Sequence, residues 1–348
     1  MNKKRIKVVL VDDSLLILNI FKKILSSYEE LEIVGAYSKA SDALKAVIKE
    51  KPDVLCTDYS MPGMDGLELI SEIMEKNPCP ILVVSSLVEQ KKQPENVFNL
   101  LEAGAVDVLS KPLINSEEEL QKFASQLLRK IILLSGVYTF RRKKKNNFSS
   151  TKEMGAFLSV NHNQKFNIVL IGASTGGPLL ISEIIKTLPE NYSLPIVCVQ
   201  HISEGFLSGM IDWLQSLTRL KIEIAGHGEF PKPGRIYFPP EKSHLLFDNK
   251  GRFLLDYSEP LNGHKPAINK TFYSAAGTFG EKATALLLTG MGNDGATGLL
   301  KIKGEGGYTI AQDESSCIVF GMPKAAIEMN AVVSVFTPSE IIHFLKNL

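Results

Sequence analysis

A chain of 348 residues, 44 % hydrophobic and 22 % charged, is long enough for two or three domains with sizeable cores. Its formal net charge of +1 excludes a globally cationic nucleic-acid binder, and its composition excludes wholesale disorder. Cys56, Cys79, Cys198 and Cys317 form no C-x-x-C pair, which points to buried free thiols in a reducing compartment rather than to a metal site. The stretch before Asp12-Asp13 is too short for a signal peptide, and no apolar run approaches the roughly 20 residues of a membrane span. A soluble, cytoplasmic protein is expected.

From Ile6 to Leu134 strand and helix patterns alternate. Ile6–Val11, Leu31–Ala36, Val54–Thr57, Ile81–Val84 and Val106–Leu109 read as strands. Helical patterns lie around Leu15–Leu25, Ala40–Ile48, Leu67–Met74, Val97–Leu101 and Leu120–Leu134. This alternation predicts an α/β unit with a doubly wound, five-stranded parallel sheet. Asp12 and Asp13 follow the first strand and Asp58 the third. Three carboxylates gathered at one sheet edge repel unless a cation sits among them, and hard oxygen ligands suit Mg²⁺. The fourth strand ends on Ser85 and the fifth leads to Lys111-Pro112. A hydroxyl and a cation beside a carboxylate make a site for a phosphoryl group. Ordinary solvated loop charges explain each residue singly, but not their placement at four strand ends.

On these residues the segment 6–134 resembles a response-regulator receiver domain, placed at 1–134. Asp58, within Asp58-Tyr59-Ser60-Met61-Pro62-Gly63-Met64-Asp65-Gly66, matches the phosphoacceptor motif. The resemblance implies that Asp12, Asp13, Asp58 and the backbone carbonyl of Ser60 hold Mg²⁺ for phosphorylation. It implies that Ser85 and Lys111 contact the phosphoryl oxygens. Val108 stands where many receivers carry an aromatic ring that reports phosphorylation, so no aromatic switch is expected here.

Residues 135–164 break the alternation. Arg141-Arg142-Lys143-Lys144-Lys145 is a block of like charges followed by polar residues with few apolar anchors, and such a stretch extends as a linker. A polybasic membrane or nucleic-acid patch is the alternative, but no amphipathic helix stands beside it.

The remainder, 165–348, alternates again and predicts a second doubly wound, mostly parallel α/β unit. The apolar run Ile168–Ile171 enters the turn Gly172-Ala173-Ser174-Thr175-Gly176-Gly177-Pro178, and a helical pattern follows from Leu179. Three readings of Ser174 compete. The glycines cradle a phosphate, although their order fits neither nucleotide-binding fingerprint; Ser174 is a nucleophile, since Gly172–Gly176 satisfies G-x-S-x-G; or Ser174 is a helix N-cap. Two further strand patterns weigh on the choice. Pro195–Gln200 ends on His201, and Ala285–Leu288 leads into the Gly-rich turn that carries Asp294. A serine needs a base, and the imidazolium formed needs a carboxylate to orient and stabilise it. The chain order Ser, His, Asp differs from that of α/β-hydrolases, which disfavours that fold. Gly234–Pro240, Leu245–Phe247 with Phe253–Tyr257, and Tyr308–Gln312 read as further strands. The chain shows no helix-turn-helix pattern with a basic recognition helix, so nucleic acid is not an expected partner.

Gly172–Gly177, Gln200-His201, Leu288–Ala296, Ala311–Glu314 and Phe320–Pro323 together resemble the catalytic domain of the chemotaxis protein-glutamate methylesterase family. The resemblance implies Ser174 as nucleophile, His201 as general base and acid, and Asp294 as orienting carboxylate. It implies oxyanion support from the backbone N–H of Met291 and from Thr175. It further implies methylated chemoreceptors as substrates, a chemotaxis histidine kinase as phosphodonor, membranes approached only through receptors, and hydrolysis without a cofactor. The receiver is expected to control the hydrolase by lying across the mouth near Ser174, His201 and Asp294. His264–Asn269 departs from the family's usual Arg-Pro-Ser-Val-Asp, which bears on substrate docking rather than on chemistry. A nucleotide-binding module and a non-catalytic, phosphorylation-dependent adaptor are the rival classes.

Overall fold

Near-continuous β-branched runs become buried strands of parallel sheets, because helices cover both faces. The structure, a computed structural model, describes residues 4–86, 94–112, 116–137 and 165–348. Most of the expected linker, including its basic block, lies outside the described residues. The chain divides into two compact units.

In the first unit the elements are β1 (Ile6–Val11), α1 (Leu15–Leu25), β2 (Leu31–Tyr37), α2 (Ala40–Glu50), β3 (Val54–Thr57) and α3 (Gly66–Lys76), then β4 (Ile81–Ser85), α4 (Pro94–Ala103), β5 (Asp107–Ser110) and α5 (Glu117–Leu134). The sheet order is β2-β1-β3-β4-β5, with every pairing parallel. Val8, Leu10, Phe21, Val54, Leu82, Phe123 and Leu127 form a core on one face. Phe21 and Phe123 stack there with centroids 5.5 Å apart, joining α1 to α5. The expected fifth strand starts at Val106, whose N–H bonds the Ile81 carbonyl, but ladder pairing begins one residue later, at Asp107 opposite Leu82.

From Ile168 the chain runs β6 (Ile168–Ala173), α6 (Gly177–Ile185), β7 (Ile196–Gln200), α7 (Leu207–Leu217), β8 (Lys221–Ile224), β9 (Arg235–Phe238), β10 (His244–Phe247) and β11 (Phe253–Asp256). It continues through α8 (Ile268–Phe279), β12 (Ala283–Leu287), α9 (Ala296–Gly304), β13 (Tyr308–Gln312), α10 (Met322–Glu328), β14 (Ser334–Phe336) and α11 (Pro338–Lys346). Seven strands form a parallel sheet in the order β14-β13-β12-β6-β7-β9-β8, while β10 and β11 make a separate antiparallel hairpin. The edge strands β8 and β14 escape sequence reading because they are only four and three residues long with mixed exposure. Helix α6 starts at Gly177, before the expected Leu179, because Gly176 takes φ +79° as N-cap and Pro178 falls in the first turn, where its missing N–H costs nothing.

Both sheets reverse their direction of growth between two neighbouring strands, β1 and β3 in the first unit and β6 and β12 in the second. A crevice opens outside the carboxyl ends at such a switch point. Asp12 and Asp58 follow one pair of strands, Ser174 and the turn carrying Asp294 the other.

Phe272, fully buried on α8, anchors that helix in the core with Leu170, Val199 and Phe253. Phe272→Ala is expected to cost about 3–5 kcal/mol. Urea unfolding followed by the fluorescence of Trp213, the chain's single tryptophan, checks this.

Candidate active site

In the first unit, ligand atoms of Asp12, Asp13 and Asp58 all lie within 4.8 Å of one another. Lys111 Nζ stands 2.8 Å from Asp12 Oδ2 and 2.5 Å from Asp58 Oδ2. Asp12 and Asp58 are buried and Asp13 is exposed. Burial raises the Asp12 carboxyl pKa despite the Lys111 bond and charge. Burial also works against the Lys111 cation, but Asp58 and Asp12 outweigh it and hold its pKa above the ordinary value. One ammonium thus bonds two buried carboxylates with a third beside them, and this donor set fits a hard divalent cation. Ser85 is fully buried at the end of β4, and its carbonyl accepts from Lys111 N at 2.8 Å. Ser60 is exposed in the loop after β3, and Val108 is buried within β5. The strand ends therefore bring Asp12, Asp13, Asp58 and Lys111 together.

In the second unit the parallel ladder runs one residue past the strands. Ser174 N donates to Thr289 O at 3.0 Å and His201 N to Ala173 O at 2.9 Å, so Ser174 lies between Thr289 and His201. Ser174 is not the helix N-cap; that position belongs to Gly176, which makes no side-chain cap bond. The Ser174 carbonyl instead accepts from Gly177 N at 2.8 Å and from Gln200 Nε2 at 2.9 Å. The same Gln200 amide reaches His201 O at 2.8 Å, tying the two turns together. The small residues are there for contact: a Cβ at Gly290 would come within 2.6 Å of Ser174 Cβ, and one at Gly177 within 2.2 Å of Gln200 Oε1. Met291 follows Gly290, whose carbonyl accepts from Met322 N at 2.8 Å. Thr175 is buried, and its carbonyl accepts from Thr289 Oγ1 at 3.0 Å. Gln312, on β13, holds the Asp294 turn from the far side, accepting from Thr289 N at 2.8 Å.

His201 Nε2 lies 2.9 Å from Asp294 Oδ2, and both side chains are largely buried. Asp294 also accepts from Ile268 N at 2.7 Å, Asn269 N at 3.0 Å and Gly295 N at 3.0 Å. Ala267, at the N-cap of α8, offers no side-chain cap. Asp294 takes that role from a loop 26 residues away, where a carboxylate at a helix N-terminus is favoured. Burial opposes its charge, but the His201 ring and the Asn269 and Ile268 N–H groups outweigh burial and hold the carboxyl below its ordinary value. An ionised carboxylate only accepts, so Nε2 carries the proton and Nδ1 the free lone pair. Nδ1 is buried without a hydrogen-bond partner, and among the described residues no hydrogen bond joins it to Ser174. Catalytic hydrogen bonds are often open before substrate arrives.

The segment expected to bear on docking also supplies contacts to this grouping. Ile268 and Asn269 hold Asp294 through their backbone, which a change of side chain leaves in place. The His264 ring lies parallel to that of His201, centroids 4.0 Å apart. Behind it, fully buried His244 accepts from Ala267 N at 3.0 Å on Nδ1 and bonds Glu259 O at 3.1 Å through Nε2. Neither histidine is marked as a site residue by the sequence. The only local signal was the Asn262-Gly263 dipeptide, which marks a tight turn just before His264.

With this geometry in place, the comparisons with known proteins are decisive about kinship. Residues 169–345 match the CheB methylesterase family and residues 8–124 the response regulator receiver domain family. Protein-glutamate methylesterase/protein-glutamine glutaminase 1 of Syntrophus aciditrophicus is 36 % identical over 350 aligned residues, covering 99 % of this chain and 98 % of that protein. The protein-glutamate methylesterase/protein-glutamine glutaminase of Thiobacillus denitrificans is 37 % identical over 94 % of this chain and 92 % of its own length. The crystal structure of the Thermotoga maritima CheB methylesterase catalytic domain superposes with a TM-score of 0.51 at 40 % identity, covering 53 % of this chain and 98 % of that one. The chain is therefore a response regulator whose output unit is a hydrolase. It belongs to the CheB methylesterase family. Among the described residues no helix is long and apolar enough to cross a membrane.

Burial lowers the His244 pKa, against the partly compensating bond to the Glu259 carbonyl. Below about pH 6.5 the unfolded chain takes up a proton that folded His244 refuses, so stability falls as the pH drops from there toward the folded pKa, and above about pH 6.5 this group has no effect. The urea midpoint of the second unit should drop more steeply between pH 7.5 and 5.5 in the wild type than in His244→Gln. Equal slopes would contradict the assignment.

Proposed function

We propose that Ser174, His201 and Asp294 form the hydrolytic site of the second unit. It removes methyl groups from glutamate γ-methyl esters of chemoreceptors and deamidates receptor glutamines. The observation that carries this reading is an imidazole bonded through Nε2 to a buried carboxylate, its Nδ1 left without a partner, beside a serine at the sheet's switch point. The names of the full-length relatives support the substrate class.

Ser174 Oγ attacks the ester carbonyl while His201 Nδ1 takes its proton. The resulting imidazolium keeps its Nε2–H on Asp294, which stabilises the new charge without taking the proton. The backbone N–H of Met291 supports the oxyanion with help from Thr175; removing one such donor typically costs about 3–4 kcal/mol of transition-state stabilisation. His201 then protonates departing methanol, accepts a proton from water, and returns it to Ser174 as the acyl-enzyme is hydrolysed. With a glutamine substrate ammonia leaves instead. These steps need only protein groups.

The proposed layout is a receiver at 1–134, a linker at 135–164 and the catalytic unit at 165–348. Asp58 accepts the phosphoryl group from a chemotaxis histidine kinase in the cytoplasm, and Ser85 and Lys111 contact its oxygens. Asp12, Asp13, Asp58 and the Ser60 carbonyl would hold Mg²⁺, which would offset the charge of the phosphoryl oxygens. The receptors are the route to the membrane, and nucleic acid is not a partner.

Methanol release from methylated receptor membranes tests the site. Ser174→Ala and His201→Gln should each cost about 10⁶ in kcat, and Asp294→Asn about 10⁴, because such groups act as a unit and the carboxylate only orients and stabilises. A Ser174→Ala protein that kept a tenth of wild-type turnover would remove the nucleophile assignment.

Control by the first unit is tested separately. A fragment beginning near Val160 should be active without phosphodonor and faster than the unphosphorylated full chain. A small phosphodonor with Mg²⁺ should speed the full chain by about 5–150-fold, the usual range of coupling between sites. It should leave the fragment and Asp58→Asn unchanged; equal basal rates of fragment and full chain would rule out restraint by the receiver.

A further inference from the structure

We infer that His264 is a positioning residue for His201, an inference that rests on His201 acting as the base. The His201 ring has one hydrogen bond, Nε2 to Asp294, and one bond fixes a point rather than a plane. The terminal torsion of a histidine is broad, so a single hydrogen bond does not by itself keep the ring from turning about that point and carrying Nδ1 off the serine. The flat face of His264 removes this freedom: the rings are 3° from parallel with centroids 4.0 Å apart.

His264 is itself presented rigidly. Leu261 and His264 exchange both backbone hydrogen bonds, at 3.1 and 3.0 Å, around Asn262 at φ +52° and Gly263 at φ +81°. Positive φ at both central residues is the type I′ turn that Asn-Gly favours. His244 then ties the strap near both its ends, through Glu259 O and Ala267 N. Lys265 Nζ adds a bond to Tyr257 O at 2.9 Å. The strap therefore holds one imidazole flat against another.

Two consequences fall on kcat. The near-attack geometry of Nδ1 depends on the ring plane, and misplacement of about 1 Å is costly. Positive charge also appears on His201 only as the Ser174 proton moves, so an aromatic face laid against it favours the transition state over the ground state. Substrate binding does not use this contact, so KM should barely move.

The test uses the full chain, saturated with phosphodonor, on methylated receptor membranes. His264→Ala should lower kcat about tenfold to thirtyfold with KM within twofold of wild type. His264→Phe keeps a flat face and should recover most of kcat; His264→Leu fills space without one and should not. A His264→Ala enzyme with kcat within twofold of wild type would overturn the inference, and so would Leu rescuing as well as Phe. If the alanine variant fails to fold, the comparison of Phe with Leu decides by itself. The underlying reading fails by a different result: substantial turnover in His201→Gln, whatever His264 does.

Discussion

One buried carboxylate organises the catalytic unit. Asp294 accepts from the His201 ring and from the backbone of Ile268, Asn269 and Gly295. It thereby joins the turn after β12, the end of β7 and the start of α8. A charge so deeply buried is tolerable only because each donor is in place; losing one leaves a desolvated group unsatisfied. The same satisfaction keeps it ionised, and an ionised partner is what puts the proton on Nε2 and the lone pair on Nδ1. Folding and protonation state are therefore set by the same contacts.

Around that carboxylate the sheet supplies position and the small residues supply access. The parallel ladder carries Ser174 and His201 out on neighbouring strand ends, and Gln200 bonds the carbonyls of both. Gly290 lets the Asp294 turn pass against Ser174 where any side chain would collide. The first unit repeats the logic with different chemistry. Its switch point gathers Asp12, Asp13 and Asp58 around Lys111, a grouping short of positive charge. The same kind of crevice holds Ser174 and the Asp294 turn in one unit and a set of three carboxylates in the other.

Much of this was legible because the relevant residues sit where strand patterns stop. Asp12, Asp58 and Ser85 in the first unit, and Ser174 and His201 in the second, each end an apolar run of unmistakable period. The long strands β1, β6 and β13 were readable for the same reason, whereas β8 and β14 are too short and too exposed to show one. What escaped reading is long-range. Nothing near Asp294 in the chain announces that it caps α8, and nothing near His264 announces that its ring meets His201 across 63 residues (264 − 201). At Lys265–Asn269 the contacts to Asp294 come from backbone N–H groups, which the identity of the side chains does not announce.

The central claim is that Asp294 holds His201 as a single neutral tautomer, and nitrogen NMR of the histidine ring reads this directly. With His201 labelled in the full chain at a pH where the ring is neutral, the account predicts a protonated Nε2 and a bare Nδ1, with this preference lost in Asp294→Asn. A ring protonated on Nδ1, or one populating both tautomers equally in the wild type, would contradict it.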